Sequence, residues 1–195
     1  MYKELILKTT INLYAHYGIR GVSMNQVAGA LRISKKTLYA EFGSKEELLC
    51  NCLDYEENRI GKILMNTIRE HQNPVETVIM ITHNLLQYRL YFCPAYYNDL
   101  YRFKKAIEKQ EVMHRKIAEK YYQFLQKGKE EGYFIAQNDY HVVASMLVEM
   151  LLRGEAANKP LLIQTFLRGL CTDRGISAMD ELAPESLQNN THNYN

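Results

Sequence analysis

Three serines, Ser23, Ser34 and Ser44, do most to limit what this chain can fold into. A serine hydroxyl accepts a hydrogen bond from an otherwise unpartnered N–H in the first turn of a helix, so serine is favoured just before a helix begins. Ser23 is followed three positions later by Gln26, and Ser44 by Glu47, the sequence form of a capping box. Apolar pairs flank the first two starts at stapling positions, Val22 with Val27 and Ile33 with Leu38. Gly43 stands where a short helix has to stop. Residues 23–43 therefore read as helix, tight turn and short helix, and a longer helix opens after Ser44.

That spacing is the spacing of a helix-turn-helix. On the short helix, Leu38 and Phe42 share one side and are expected to point inward. Lys36, Thr37, Tyr39 and Ala40 sweep the opposite arc, with Lys35 at its edge. A small, basic outer face of this kind can enter the major groove of DNA, about 12 Å wide. Its cations and hydroxyls suit phosphate oxygens and base edges. The charge distribution agrees. Residues 1–45 hold seven Lys or Arg against two Glu, a net of +5, in a chain whose total is +2.

The remainder also reads as helix. Residues 3–17 carry Ile6, Thr10, Leu13 and Tyr17 on one stripe, widened by Leu7, Ile11 and Tyr14, and Gly18 is the expected stop. A long helix is expected from 45 to 71, with Gly61 as a possible bend. Asn73-Pro74 starts another, Cys93-Pro94 breaks the chain again, and further helices are expected at 95–106, 109–131, 140–153 and 160–174. The expected fold class is all-α, with about nine helices. After Gly175 the sequence turns polar, and 177–195 reads as a disordered tail.

Several function classes are disfavoured. No phosphate-cradling glycine loop or nucleophile signature occurs, so an enzyme is not expected. The six histidines (16, 71, 83, 114, 141 and 192) include no pair three or four apart, so no helical metal site and no metal or other cofactor is expected. The four cysteines are scattered and read as small buried hydrophobes. No apolar run is long enough for a membrane span, and the N-terminus lacks the pattern of a signal peptide, so the expected location is the cytoplasm, with no membrane partner.

The run Tyr17-Gly18, Val22-Ser23, Val27-Ala28, Ile33-Ser34, Thr37-Leu38-Tyr39, Phe42 and Ser44-Lys45-Glu46-Glu47-Leu48 resembles the DNA-binding signature of the tetracycline-repressor (TetR) family. The resemblance implies a three-helix DNA-binding domain at 1–47 and a helical ligand-binding and dimerisation domain at 48–176. It implies that Tyr39 and Lys45 contact phosphates and that Ser23 caps the second helix and touches backbone. It further implies that Lys35, Lys36 and Thr37 read bases. One departure stands out: Arg32 occupies a turn position where the family usually has glycine. Gly29, inside the second helix, is a smaller one.

Such a protein is expected to bind a palindromic operator as a homodimer, most often as a repressor, and to be released by a small, mostly apolar effector. A regulator without ligand control, or an activator, is the alternative. The aromatic-rich stretch 80–133 suggests a pocket, with His83, Asn84, Tyr88, Arg89, Tyr97, Tyr101 and Tyr121 as candidate lining. Apolar stripes at 142–151 and 163–170 suggest a four-helix dimer contact through Val143, Met146, Met150, Ile163, Phe166 and Leu170.

Overall fold

The computed structural model describes residues 2–71, 73–153 and 159–182. Among these, ten helices account for nearly all regular structure: α1 Tyr2–Gly21, α2 Met24–Ala30, α3 Lys35–Phe42, α4 Lys45–Glu70 and α5 Pro74–Tyr91, then α6 Pro94–Leu100, α7 Lys104–Glu130, α8 Tyr140–Leu152, α9 Lys159–Leu170 and α10 Asp173–Glu181. One isolated antiparallel bridge joins Phe134 and Cys171. The all-α expectation holds. The chain divides into two compact units. The first is Met1–Arg59 with Tyr91–Met113, and the second is Ile60–Leu90 with the described residues from His114 onward.

In the first unit, Ile6, Tyr14, Ile19, Val27, Leu38 and Leu48 are buried. The buried stripe of α1 centres on Leu7, Ile11 and Tyr14 rather than on Tyr17, which is 67% exposed. The helix changes direction at Gly18, whose φ of 73° and ψ of 165° are not helical, and one further turn follows. Gly18 is also a close-approach site: a Cβ there would lie 3.0 Å from Ala95 Cβ and Asp99 Oδ2. Only glycine combines that backbone with that contact between α1 and α6. Gly61, expected as a bend, lies within α4, which is assigned as continuous.

The second unit is organised on α5, which buries twelve side chains from Pro74 to Arg89. Its buried polar groups find distant partners. Asn84 donates to the Thr67 hydroxyl at 2.9 Å, and the Thr82 and Tyr121 hydroxyls share a hydrogen bond of 2.9 Å. The single helix expected at 160–174 is two helices. Cys171 leaves α9 to bridge Phe134, and Thr172 caps α10 by accepting from the Gly175 N–H. Arg168 then clamps Asp180 through both guanidinium nitrogens, and Arg174 lies over the Tyr133 ring. Residues 177–181 are thus helical where the tail was expected to begin, and 183–195 lie outside the described residues.

The four cysteines are free thiols, and Cys50, Cys52 and Cys171 are buried. Burial pushes the Cys171 thiol up to about 11, away from reactivity.

Candidate nucleic-acid interface and effector cavity

The local chemistry at each helix start fixes which side of α3 faces outward. At α2 the capping box is complete. The Gln26 N–H donates to Ser23 Oγ at 3.3 Å, and the Ser23 N–H and hydroxyl both donate to Gln26 Oε1, at 2.7 and 2.8 Å. Because its one hydroxyl proton is used in the cap, Ser23 serves here to set the helix start. At α3 the Thr37 N–H donates to Ser34 Oγ at 3.0 Å, and the two hydroxyls bond at 2.7 Å. At α4 only half of the expected box forms. The Glu47 N–H donates to Ser44 Oγ at 3.1 Å, but the Glu47 carboxylate accepts from Lys105 Nζ instead of the Ser44 backbone. The Ser44 N–H donates to Phe42 O at 2.7 Å, leaving the carboxylate to a cation fifty-eight residues away in sequence.

The turn between α2 and α3 accommodates Arg32 in the left-handed region, at φ 54°. It is the one non-glycine residue with positive φ among the described residues. The surrounding bonds form a Schellman arrangement, in which the Ile33 N–H donates to Ala28 O at 3.0 Å and the Arg32 N–H to Gly29 O at 3.1 Å. The turn therefore keeps the geometry a glycine would give, at a strain of roughly 1–2 kcal/mol. A Cβ on Gly29 would meet nothing within 4 Å, so that glycine makes no close packing contact and only weakens α2.

On α3, Leu38 and Phe42 are buried, while Lys35, Lys36, Thr37, Tyr39 and Ala40 are exposed on the opposite arc. Tyr39 is 40% exposed, with Lys35 Nζ 5.6 Å from its ring centroid. Lys36 has no ion-pair partner among the described residues. Gly43, at φ 70°, ends the helix by donating its N–H to Tyr39 O. Lys45 is half-buried at the start of α4. Burial pulls its ammonium below the ordinary value, the Asp99 carboxylate opposes that shift, and Arg20 reinforces it.

Asp99 and Arg20 were missed by the sequence reading. The Arg20 N–H donates to Asp99 Oδ2 at 2.7 Å across seventy-nine residues. Asp99 thus fixes the end of α1 and tunes the lysine next to the reading helix. No local pattern announces a contact of that separation.

The second unit holds a cavity of about 390 Å³. From α5 it is lined by Ile79, Thr82, His83 and Leu86, and from α9 by Pro160, Ile163, Gln164 and Leu167. Met179 and Leu182 complete it. Of the candidate pocket residues, only His83 faces this space. Asn84, Tyr88, Arg89 and Tyr121 are buried in the packing of the second unit. Tyr97 and Tyr101 belong to the first unit, and Tyr101 is 64% exposed. The structure therefore does not gather the seven into one pocket. The aromatic run is distributed between two cores.

The candidate dimer residues divide in a similar way. Val143, Ile163 and Leu170 are buried within the chain, Ile163 against the cavity. Met146 is 46% exposed, and Met150 and Phe166 are half-buried. The stripes are wider than one face, so their inner edges serve the chain's own core. The exposed edges of α8 and α9 carry Val142, Met146, Leu161 and Leu162.

Among the described residues no helix is long and apolar enough to cross a membrane, and no group of three His, Cys, Asp or Glu is placed to hold a metal.

These features define a helix-turn-helix protein with an all-helical body. Residues 6–51 match the family model described as bacterial regulatory proteins, tetR family. Two relatives come from Bacillus subtilis (strain 168). The uncharacterized HTH-type transcriptional regulator YuxN is 31% identical over 72 residues, 37% of this chain. The corresponding protein YerO is 30% identical over 107 residues, 43% of this chain. The chain spans 25% and 36% of the length of these two relatives. Among solved structures, AibR in complex with isovaleryl coenzyme A and operator DNA superposes with a TM-score of 0.64 at 18% identity, covering 88% of this chain and 98% of that one. That likeness is one of fold. Residues 6–51 are thus similar to the DNA-binding region of the tetR family.

Proposed function

We propose that this chain is a DNA-binding transcriptional regulator that acts as a homodimer on a palindromic operator and yields to a small, mostly apolar effector. The observation that carries the proposal is the α3 arc: Lys35, Lys36, Thr37 and Tyr39 exposed on one side of a helix whose other side is locked down by Leu38 and Phe42. In this reading Tyr39 and Lys45 hold the phosphate backbone, while Lys35, Lys36 and Thr37 meet base edges. Residues 1–47 form the DNA-binding domain and 48–176 the effector and dimer domain.

The exposed apolar edges of α8 and α9, including Met146 with half-buried Met150 and Phe166, support dimerisation by a self-complementary contact. The cavity beside His83 supports effector control. An effector that binds one conformation better shifts the population toward it, and the difference in affinity sets how far. AibR, which shares the fold, forms a complex with isovaleryl coenzyme A and operator DNA, in keeping with control of DNA binding by a small molecule. Repression, rather than activation, follows the commoner behaviour that the resemblance implies.

Selection of bound sequences from a random duplex library tests the proposal. Enrichment of an inverted repeat with a fixed half-site spacing is the expected result. Recovery of no preferred sequence would overturn it.

A further inference from the structure

We infer that the cavity between α5, α9 and α10 selects an uncharged, chiefly aliphatic molecule with a single hydrogen-bonding head group, and that His83 Nε2 receives that head group. The inference rests on the effector reading above and specifies the chemistry of the same site.

Three observations carry it. The first is the composition of the wall. Aliphatic and thioether side chains from Ile79, Leu86, Ile163, Leu167, Met179 and Leu182 make most of it, and among the described residues no Lys, Arg, Asp or Glu lines it. An ionised head group brought here would lose its water without gaining a counter-ion, which is a heavy cost. A ligand built around phosphates or a carboxylate is therefore selected against.

The second is the state of the polar atoms. The Thr82 hydroxyl is already committed: it donates to Val78 O at 2.6 Å and shares a hydrogen bond with Tyr121. Gln164 is exposed at the rim. His83 Nε2, in contrast, is buried and has no hydrogen-bond partner among the described residues. A buried polar atom left unsatisfied is unfavourable, so a ligand atom that bonds it is strongly favoured over one that does not. Burial also lowers the imidazole's proton affinity and favours its neutral form, so the one titratable base among the described wall residues brings no positive charge. Neutral Nε2 donates or accepts according to tautomer, so it can serve an alcohol, a ketone or an ester alike.

The third is size. The volume of about 390 Å³ falls near the lower end of small-molecule sites, suited to a medium-length chain or a compact ring system rather than a nucleotide conjugate.

The test uses the full chain, without DNA, and three probes of one chain length: 1-decanol, decanoate and decyltrimethylammonium, titrated by calorimetry at pH 8. The expected result is that 1-decanol binds, and that both ions bind at least ten-fold more weakly. His83→Leu, which keeps the volume apolar, is expected to weaken 1-decanol about ten-fold. Gln164→Trp at the exposed rim, where folding is not at risk, is expected to obstruct entry and weaken it as well. Decanoate binding as tightly as 1-decanol, an unchanged 1-decanol affinity in His83→Leu, or no binding of any probe would each overturn the inference. A parallel DNA-release assay separates the two claims. If 1-decanol binds while the DNA complex persists, effector control fails and the cavity's selectivity stands. If decanoate binds more tightly and releases DNA, the selectivity fails and effector control stands.

Discussion

The helix-turn-helix head and the helical body follow different folding logic. Between Ser23 and Ser44 every helix boundary is set by a bond spanning a few residues: Gln26 to Ser23, Thr37 to Ser34, Gly43 to Tyr39. In the second unit the decisive bonds join residues far apart, as with Thr67 and Asn84, Thr82 and Tyr121, or Phe134 and Cys171. Local bonds leave a trace in the sequence because the partners sit at fixed offsets. Distant bonds leave none. The comparison teaches that a head of this kind is specified by its caps, whereas a body is specified by packing that many sequences can supply.

The sharpest way to break the head is through the deepest anchor of α3. Leu38 is fully buried on a helix of only eight residues. Leu38→Ala removes that side chain and leaves a cavity, so the head is expected to lose about 3 kcal/mol. Denaturant unfolding followed by circular dichroism checks this.

The body has a comparable weak point of electrostatic origin. His114 is buried, neither ring nitrogen has a hydrogen-bond partner among the described residues, and burial, with Arg153 nearby, pulls its pKa down to about 4 from an ordinary 6.5. Between these two values the unfolded chain takes up a proton that the folded chain refuses, so stability is full above pH 6.5 and declines as the pH falls. The decline by pH 4 is on the order of 3 kcal/mol. His114→Leu is expected to flatten that part of the pH–stability curve. An unchanged slope between pH 6.5 and 4 would show that His114 is not the group responsible.

Two smaller effects return to the head. Arg32→Gly relieves the left-handed strain and is expected to stabilise by about 1 kcal/mol, offset in part by the extra freedom of glycine in the unfolded chain. Gly29→Ala fills open space on a helix and is expected to add up to about 1 kcal/mol. Thermal melts of the two variants and their double mutant check both gains.

Legibility in the sequence followed the same divide. The two short helices, their caps, the inward Leu38 and Phe42 and the unusual turn residue Arg32 could all be read in advance. The half-formed box at Ser44 could not, because the Ser44 N–H donates to Phe42 O and Glu47 pairs with Lys105. The pocket was misjudged because aromatic composition marks burial and not which core a ring enters, so Tyr97 and Tyr101 fell in one unit and Tyr121 in the other. The two stripes were read as dimer surface, yet Ile163 turns inward to the cavity while Leu161 and Leu162, outside the stripe, stay exposed. The tenth helix was hidden because Thr172 restarts the helix only two residues after α9 ends.

The central claim is that α3 reads sequence while Tyr39 and Lys45 hold the backbone. The most direct test is a binding titration of Lys36→Ala, Thr37→Ala, Tyr39→Phe and Lys45→Ala against a panel of half-site variants of the selected operator. Tyr39→Phe and Lys45→Ala are expected to weaken every duplex by a similar factor, and Lys45→Ala to reduce the salt slope by about one. Lys36→Ala and Thr37→Ala are expected to change which half-site is preferred. Equal, sequence-independent losses in all four variants would contradict the account.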